Sequence, residues 1–260
     1  MLAGAAAAAV MLLALPAATF AQPPTGVVRP DDERGLSTLQ LGSQLFAGNC
    51  SVCHGRNGVG IRSPRPSAGD IEGQGPSLRG VGARAADLYL RTGYMPLDRA
   101  GEQPTRRTPP FTDREIRALV SYVASLGKGP PIPKPHAAAG DESEGFHLFT
   151  EHCAGCHQVA ARGGVVTGAK VPPLEHSTAT QIAEAVRTGP YLMPRFSGRQ
   201  ISDAELDSII AYVERARHPV DRGGWGLGNI GPVPEGMVTW LIAALALVAV
   251  CMAIGQRGRA

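Results

Sequence analysis

The chain is short of concentrated charge. Its 260 residues hold 25 Lys and Arg against 22 Asp and Glu, a formal net charge of +3. The arginines are scattered rather than massed on one helix face, so nothing supports nucleic-acid binding. A convincing run of alternating strand residues is also lacking, and with it the strand-to-helix setting that a thioredoxin-type thiol pair occupies. Cysteine is scarce at five residues and methionine at six. No Lys or Arg precedes the first apolar run, as a secretory signal normally requires. With 43% hydrophobic and 18% charged residues, the remainder reads as an ordinary globular protein rather than a disordered one.

Both ends are apolar. Residues 1–21 read as a signal peptide cut before Gln22, where Thr19, Phe20 and Ala21 supply the cleavage context, or as an uncleaved N-terminal anchor. A second uncharged run, 237–255, is long enough to span a bilayer as a helix. Arg257 and Arg259 follow it and Trp240 stands near its start. The positive-inside rule then predicts a cell-membrane protein with a cytoplasmic tail at 256–260 and everything before Met237 on the outer face.

The middle contains one pattern twice. "GSQLFAGNCSVCHG" at 42–55 matches "GFHLFTEHCAGCHQ" at 145–158, and "RTGYMP" at 91–96 answers "RTGPYLMP" at 187–194. "FTDREIRALVSYVASL" at 111–126 matches "ISDAELDSIIAYVERA" at 201–216. Thr112 with Glu115, and Ser202 with Glu205, form capping boxes at helix starts. Ile116, Leu119, Val120 and Val123 recur at helical spacing, as do Leu206, Ile209, Ile210 and Val213, so each helix buries one face. Shorter helices are predicted before each CxxCH and around 85–91 and 180–187. The modules span 35–127 and 145–217, joined by a Pro-rich linker at 128–144, with a juxtamembrane segment at 218–236. Units this small commonly need a disulfide, metal or cofactor to complete a core.

Four of the five cysteines sit in "CSVCH" and "CAGCH". A zinc ribbon places its second CxxC roughly 15–20 residues after the first, and the separation here is far larger. A redox dithiol leaves the following histidine unexplained. Covalent haem attachment explains all three residues, because thiols one helical turn apart each add to a vinyl group while the histidine faces the iron. This assigns Cys50, Cys53 and His54 to one haem c and Cys153, Cys156 and His157 to another. Met95 and Met193 are the only methionines between the terminal apolar segments, at matching places and each before proline. The proline keeps them off a helix, where the thioether can project towards the iron. The expected metal ligands are therefore His54 with Met95, and His157 with Met193. His136, His147, His152, His176 and His218 read as solvated or locally bonded, with His176 the one placed to approach the second haem. Cys251 reads as a small apolar residue of the span.

On these residues the pair of modules resembles the class I cytochrome c fold: a mainly α protein of two tandem cytochrome c domains plus a C-terminal transmembrane helix. More narrowly, "GPSLRGVG", "RTGYMP", "GPYLMPRFS", "IIAYV" and "GLGNIGPVPEGMVTWL" in that order are similar to the dihaem cytochrome c subunit of the actinobacterial-type cytochrome bcc complex. That resemblance implies a quinol:cytochrome c reductase in which this subunit converts no substrate of its own. Its partners would be a cytochrome b subunit, a Rieske iron-sulfur subunit that donates electrons, and a haem-copper terminal oxidase that accepts them. Two alternatives remain: an anchored dihaem donor to another dehydrogenase or reductase, and a dihaem peroxidase-like enzyme with an open or bis-histidine iron. Two loops of the first module, 60–75 and 98–110, depart from the family pattern and read as solvated loops of no special role.

Overall fold

The computed structural model describes residues 26–61, 75–99, 101–217 and 232–257. In the first module α1 (Thr38–Asn49) runs into the single turn α2 (Ser51–His54), followed by α3 (Gly82–Arg91) and α4 (Asp113–Ser125). The second module repeats that order: α5 (Glu142–His152), the turn α6 (Ala154–His157), a hairpin of β1 (Gly164–Val166) and β2 (Ala169–Val171), then α7 (Ala179–Thr188) and α8 (Asp203–Arg217). The C-terminal α9 spans Pro232–Arg257.

Each module is built on the crossing of its first and last long helices. Both expected capping boxes are present, at Thr112 with Glu115 and at Ser202 with Glu205, and further boxes open α1 at Ser37 and α7 at Thr178. Leu41, Leu45 and Phe46 of α1 pack on Ile116, Leu119, Val120 and Val123 of α4. Phe149 of α5 packs on Leu206, Ile209, Ile210 and Val213 of α8. Both crossings are close because a glycine sits at the contact: Gly42 lies against the Ala118 carbonyl, and Gly145 against that of Ser208. A β-carbon at either position would collide with backbone, which cannot turn aside.

The hairpin in the second module is absent from the sequence reading. Its strands have three residues each, paired Gly164 with Val171 and Val166 with Ala169, too few to print an alternating pattern. The segment 128–144 is docked rather than free. Ile132 packs on the first core and Ala137 on the second, while the His136 amide donates to Asp207 at 2.7 Å. Its last residues already belong to α5, which starts at Glu142 on the Asp141 cap.

In α9, residues Gly236–Arg257 have a mean hydropathy of 2.6 and bury nothing against the rest of the chain. At 1.5 Å per residue they reach about 33 Å, enough to cross a bilayer's hydrocarbon core. The expected span at 237–255 lies within them. The N-terminal segment 1–21, most of the loop 60–75, most of the segment 218–236 with His218, and the end of the tail lie outside the described residues.

Candidate haem sites

The CxxCH turns sit where α1 and α5 end. The Cys50 amide closes α1 on Phe46 at 2.8 Å, and the His54 amide closes the next turn on Cys50 at 2.9 Å. The same pair of bonds recurs from Cys153 to Phe149 at 2.8 Å and from His157 to Cys153 at 2.9 Å. A single helical turn brings residues at i, i+3 and i+4 to one side, so both thiols and the imidazole of each motif border one space. Cys50, Cys53 and His54 line a first cleft together with Met95, Leu90, Pro96 and Phe111. Cys153, Cys156 and His157 line a second together with Met193, Phe149, Val186, Phe196 and Ile209. The structure thus gathers all eight sequence-predicted residues into two clefts, four to each.

The histidines are held in one tautomer. Nδ1 of His54 lies 2.8 Å from the Pro76 carbonyl, and Nδ1 of His157 lies 3.3 Å from that of Pro172. A carbonyl oxygen only accepts, so Nδ1 carries the hydrogen and the lone pair of Nε2 is left for a metal. Burial pulls the pKa of His157 down against the opposing Pro172 bond, which keeps the ring neutral as ligation requires. The two prolines are sites the sequence reading missed. "PSL" at 76–78 and "PPL" at 172–174 follow the motifs, with Leu78 and Leu174 packed on the two cores, and that P-x-L echo was the available signal.

The thiols are set up for uncharged chemistry. Burial, with Cys53 adding, pushes Cys50 up to about 12, and burial with Cys156 pushes Cys153 up to about 11. Reactive dithiols need the opposite shift, towards the thiolate. A thioether carries no charge and suits these apolar walls. The clefts have cavity volumes of about 210 and 190 Å³, well beyond the voids that packed interiors tolerate, and both open to solvent. The residues present therefore fit a haem in each module.

The loop 98–110 corrects the sequence reading. It is not a solvated loop without a role, because it closes the second cleft from the first module. Gln103 exchanges two hydrogen bonds with the backbone of Lys170 in β2, at 2.9 and 2.5 Å. Arg106 donates to the Ser177 hydroxyl, the Gln181 side chain and the His176 carbonyl. Leu88, Thr92, Tyr94 and Pro104 of the first module join them in the wall. Tyr94 therefore faces the second cleft while its neighbour Met95 faces the first. His176 does not line the second cleft, and its side chain is 75% exposed beside Glu175. His152 does line it, its ring 6.0 Å from that of Phe196. Cys251 lies exposed on α9.

Comparison with known proteins follows the same division. Residues 39–127 match the family described as "Cytochrome c", and residues 140–213 match "Cytochrome C oxidase, cbb3-type, subunit III". The "Cytochrome bc1 complex cytochrome c subunit" of Corynebacterium diphtheriae is 36% identical over 244 residues, covering 87% of this chain and 83% of that protein. The protein of the same name from Mycobacterium bovis is 37% identical over 243 residues, covering 90% and 83%. A more distant likeness, 29% over 196 residues and covering 66% and 60%, is to a "Cbb3-type cytochrome c oxidase subunit CcoP" of Azospirillum sp.. Cytochrome c domains bind haem c covalently, and two of them lie ahead of one apolar helix long enough to span a membrane. With that architecture and that likeness over most of its length, the chain belongs to the family of cytochrome c subunits of the cytochrome bc1 complex.

Proposed function

We propose that this chain carries two covalent haems and relays electrons within a membrane quinol:cytochrome c reductase, from a Rieske iron-sulfur subunit to a haem-copper terminal oxidase. One observation carries the reading: each cleft collects a CxxCH turn and the lone methionine of its module. Cys50 and Cys53 would bind the first haem, and Cys153 and Cys156 the second. His54 with Met95, and His157 with Met193, would hold the two irons. When bound, each haem supplies one-electron redox chemistry at a potential raised by methionine.

The rest is done by the chain. The Pro76 and Pro172 carbonyls orient the two imidazoles, and the apolar walls exclude water, which favours the less charged reduced state. An iron held by both a histidine and a methionine would offer no open position to oxygen or peroxide. The shared wall at Tyr94 and Met95 sets the clefts side by side, as a relay requires. The names of the relatives support a complex with other bc1 subunits, a cytochrome b among them. The basic end of α9 supports an outward-facing haem region with a cytoplasmic C-terminus.

The test is a spectrum of the full-length chain, oxidised and reduced, with and without carbon monoxide, alongside the haem-to-protein ratio. Two haems per chain and no response to carbon monoxide are expected. A carbon monoxide shift in the wild type would mean an open iron and an enzyme instead of a relay. Met95→Leu and Met193→Leu should each keep the haem attached and lower one potential. An unchanged potential in Met193→Leu would point to His152 as the second cleft's ligand. Purification without cytochrome b and Rieske subunits would sink the respiratory assignment.

A further inference from the structure

Between the two clefts lies a buried acidic pair that the relay does not use. α3 packs on α7 across the junction of the modules. Glu184 of α7 is 0% exposed, and neither of its carboxyl oxygens has a hydrogen-bond donor among the described residues. It faces Asp87 of α3, itself 4% exposed. Asp87 takes both its bonds from Arg91 Nε, at 2.8 and 2.9 Å. Two carboxyls sharing a dry site oppose each other's ionisation, which raises the proton affinity of one of them. The one hydrogen bond open to them is through a proton that Glu184 holds.

The surroundings neither fix nor cancel that proton. From α3, Arg84 and Arg91 act on Glu184, and Asp113 of α4 takes a share of Arg91 at 2.6 Å. On α7, Arg187 is committed to the Ile201 carbonyl and to Asp203 of α8, and Arg195 beyond it acts on Arg84. Burial first, then Asp87, push Glu184 up to about 8, the two arginines notwithstanding. Arg84 Nε and Thr188 Oγ1 are further buried polar atoms without a hydrogen-bond partner among the described residues. Thr188 stands one turn beyond Glu184, and with Arg84 it continues a polar seam to partly exposed residues.

The same two helices wall the second cleft, through Leu88 of α3, its C-cap Thr92, and Ile182, Ala185 and Val186 of α7. We propose that the Asp87 and Glu184 pair is a redox-linked proton site, which takes up a proton when the haem of the second cleft is reduced and releases it on oxidation. The balance is simple. One electron from the donor enters the second cleft's redox group, and one proton leaves a hydronium ion or buffer acid in bulk water, breaking its bond there, to form the O–H bond of the Glu184 carboxyl. Added negative charge behind a low-dielectric wall raises the proton affinity of a carboxylate, and reciprocity makes the haem easier to reduce when the pair is protonated.

This inference rests on the proposed haem reading, and the test separates the two. The full-length chain in detergent is titrated electrochemically from pH 6 to 9, the second haem being the wave that Met193→Leu lowers. In the wild type that potential is expected to fall as pH rises. In Glu184→Gln it should stay flat near the low-pH wild-type value, because the amide mimics the protonated acid. A flat wild type, or a slope surviving in Glu184→Gln, overturns the proposal, the latter assigning the proton to another group such as a propionate. Redox difference infrared spectroscopy of the wild type gives a readout independent of any variant's folding. A protonated-carboxyl band that changes on reduction is expected, and its absence also overturns the proposal. A chain with no attached haem would instead refute the underlying haem reading.

Discussion

Replacing Gly145 by alanine is expected to unseat the second module. An ideal β-carbon there would stand 2.5 Å from the Ser208 carbonyl carbon, closer still to its oxygen, and 2.9 Å from Tyr212 Cβ. Carbon contacts are comfortable at about 3.5 Å or more, so α5 and α8 must part by about 1 Å. A gap of that size forfeits up to roughly half the dispersion attraction across it, here between Phe149 and Leu206, Ile209, Ile210 and Val213. Overpacking costs about 1–3 kcal/mol, and a backbone obstacle puts the cost at the upper end, near 3. Alanine returns about 1 kcal/mol in helix propensity, leaving a loss of about 2 kcal/mol. At about 4–8 °C per kcal/mol for a domain this size, the first unfolding transition should drop by about 8–16 °C, as read by circular dichroism of the full-length chain. Gly155, between the cysteines of α6, is the control, because nothing lies within 4 Å of its ideal β-carbon. Gly155→Ala should melt at or above the wild type. A Gly145→Ala protein with unchanged melting, or two variants equally damaged, would falsify the crossing argument.

Two further outcomes follow from arginine contacts. Burial alone would push Glu115 up, but hydrogen bonds from Arg29, at 2.6 Å, and from the Thr112 amide outweigh it and hold the carboxyl below its usual range. The stability this lends is complete above the ordinary carboxylate pKa and is lost as pH falls through the lower folded value. Acid unfolding curves should therefore be flatter for Glu115→Gln, and parallel curves would show that the pair contributes nothing. Arg106→Met removes three bonds to the second module, worth roughly 1–3 kcal/mol in all. Hydrogen exchange should speed up at the Lys170 amide, which Gln103 holds at 2.9 Å, while the first core stays protected. Unaltered exchange at Lys170 would mean that the loop docks without Arg106.

Much of this was legible because it occurs twice. The cysteines, histidines, methionines and capping boxes each appear in both modules, and a lone motif that chance could produce becomes an argument when its copy stands in the matching place. The four buried positions read from each terminal helix do face the cores, because helical spacing is a local property. Tertiary contacts were not legible. Nothing in "DRAGEQPTRRTPP" shows that Arg106 lies against Ser177, because its partners are brought up by another module's fold. Glu184 carries no signal in the sequence reading, because only the packing of α3 against α7 buries it.

The division between repeated and unrepeated features itself carries meaning. Whatever would hold a single haem is duplicated: Gly42 with Gly145, Pro76 with Pro172, and Met95 with Met193. Whatever joins the modules is not. Aligning the two RTG segments sets Asp87 opposite Ala183 and Glu184 opposite Leu88, so the acidic pair has no counterpart within either module. Gln103 and Arg106 likewise serve the second cleft from the first module, and the β1–β2 hairpin that Gln103 meets has no counterpart among the described residues. A duplicated one-haem unit needs no such residues, since each copy already closes its own core. They are accounted for once the two clefts act together, with the first module supplying part of the second cleft's wall. Under the proposed relay, the charge state of that wall would bear on transfer between the two clefts.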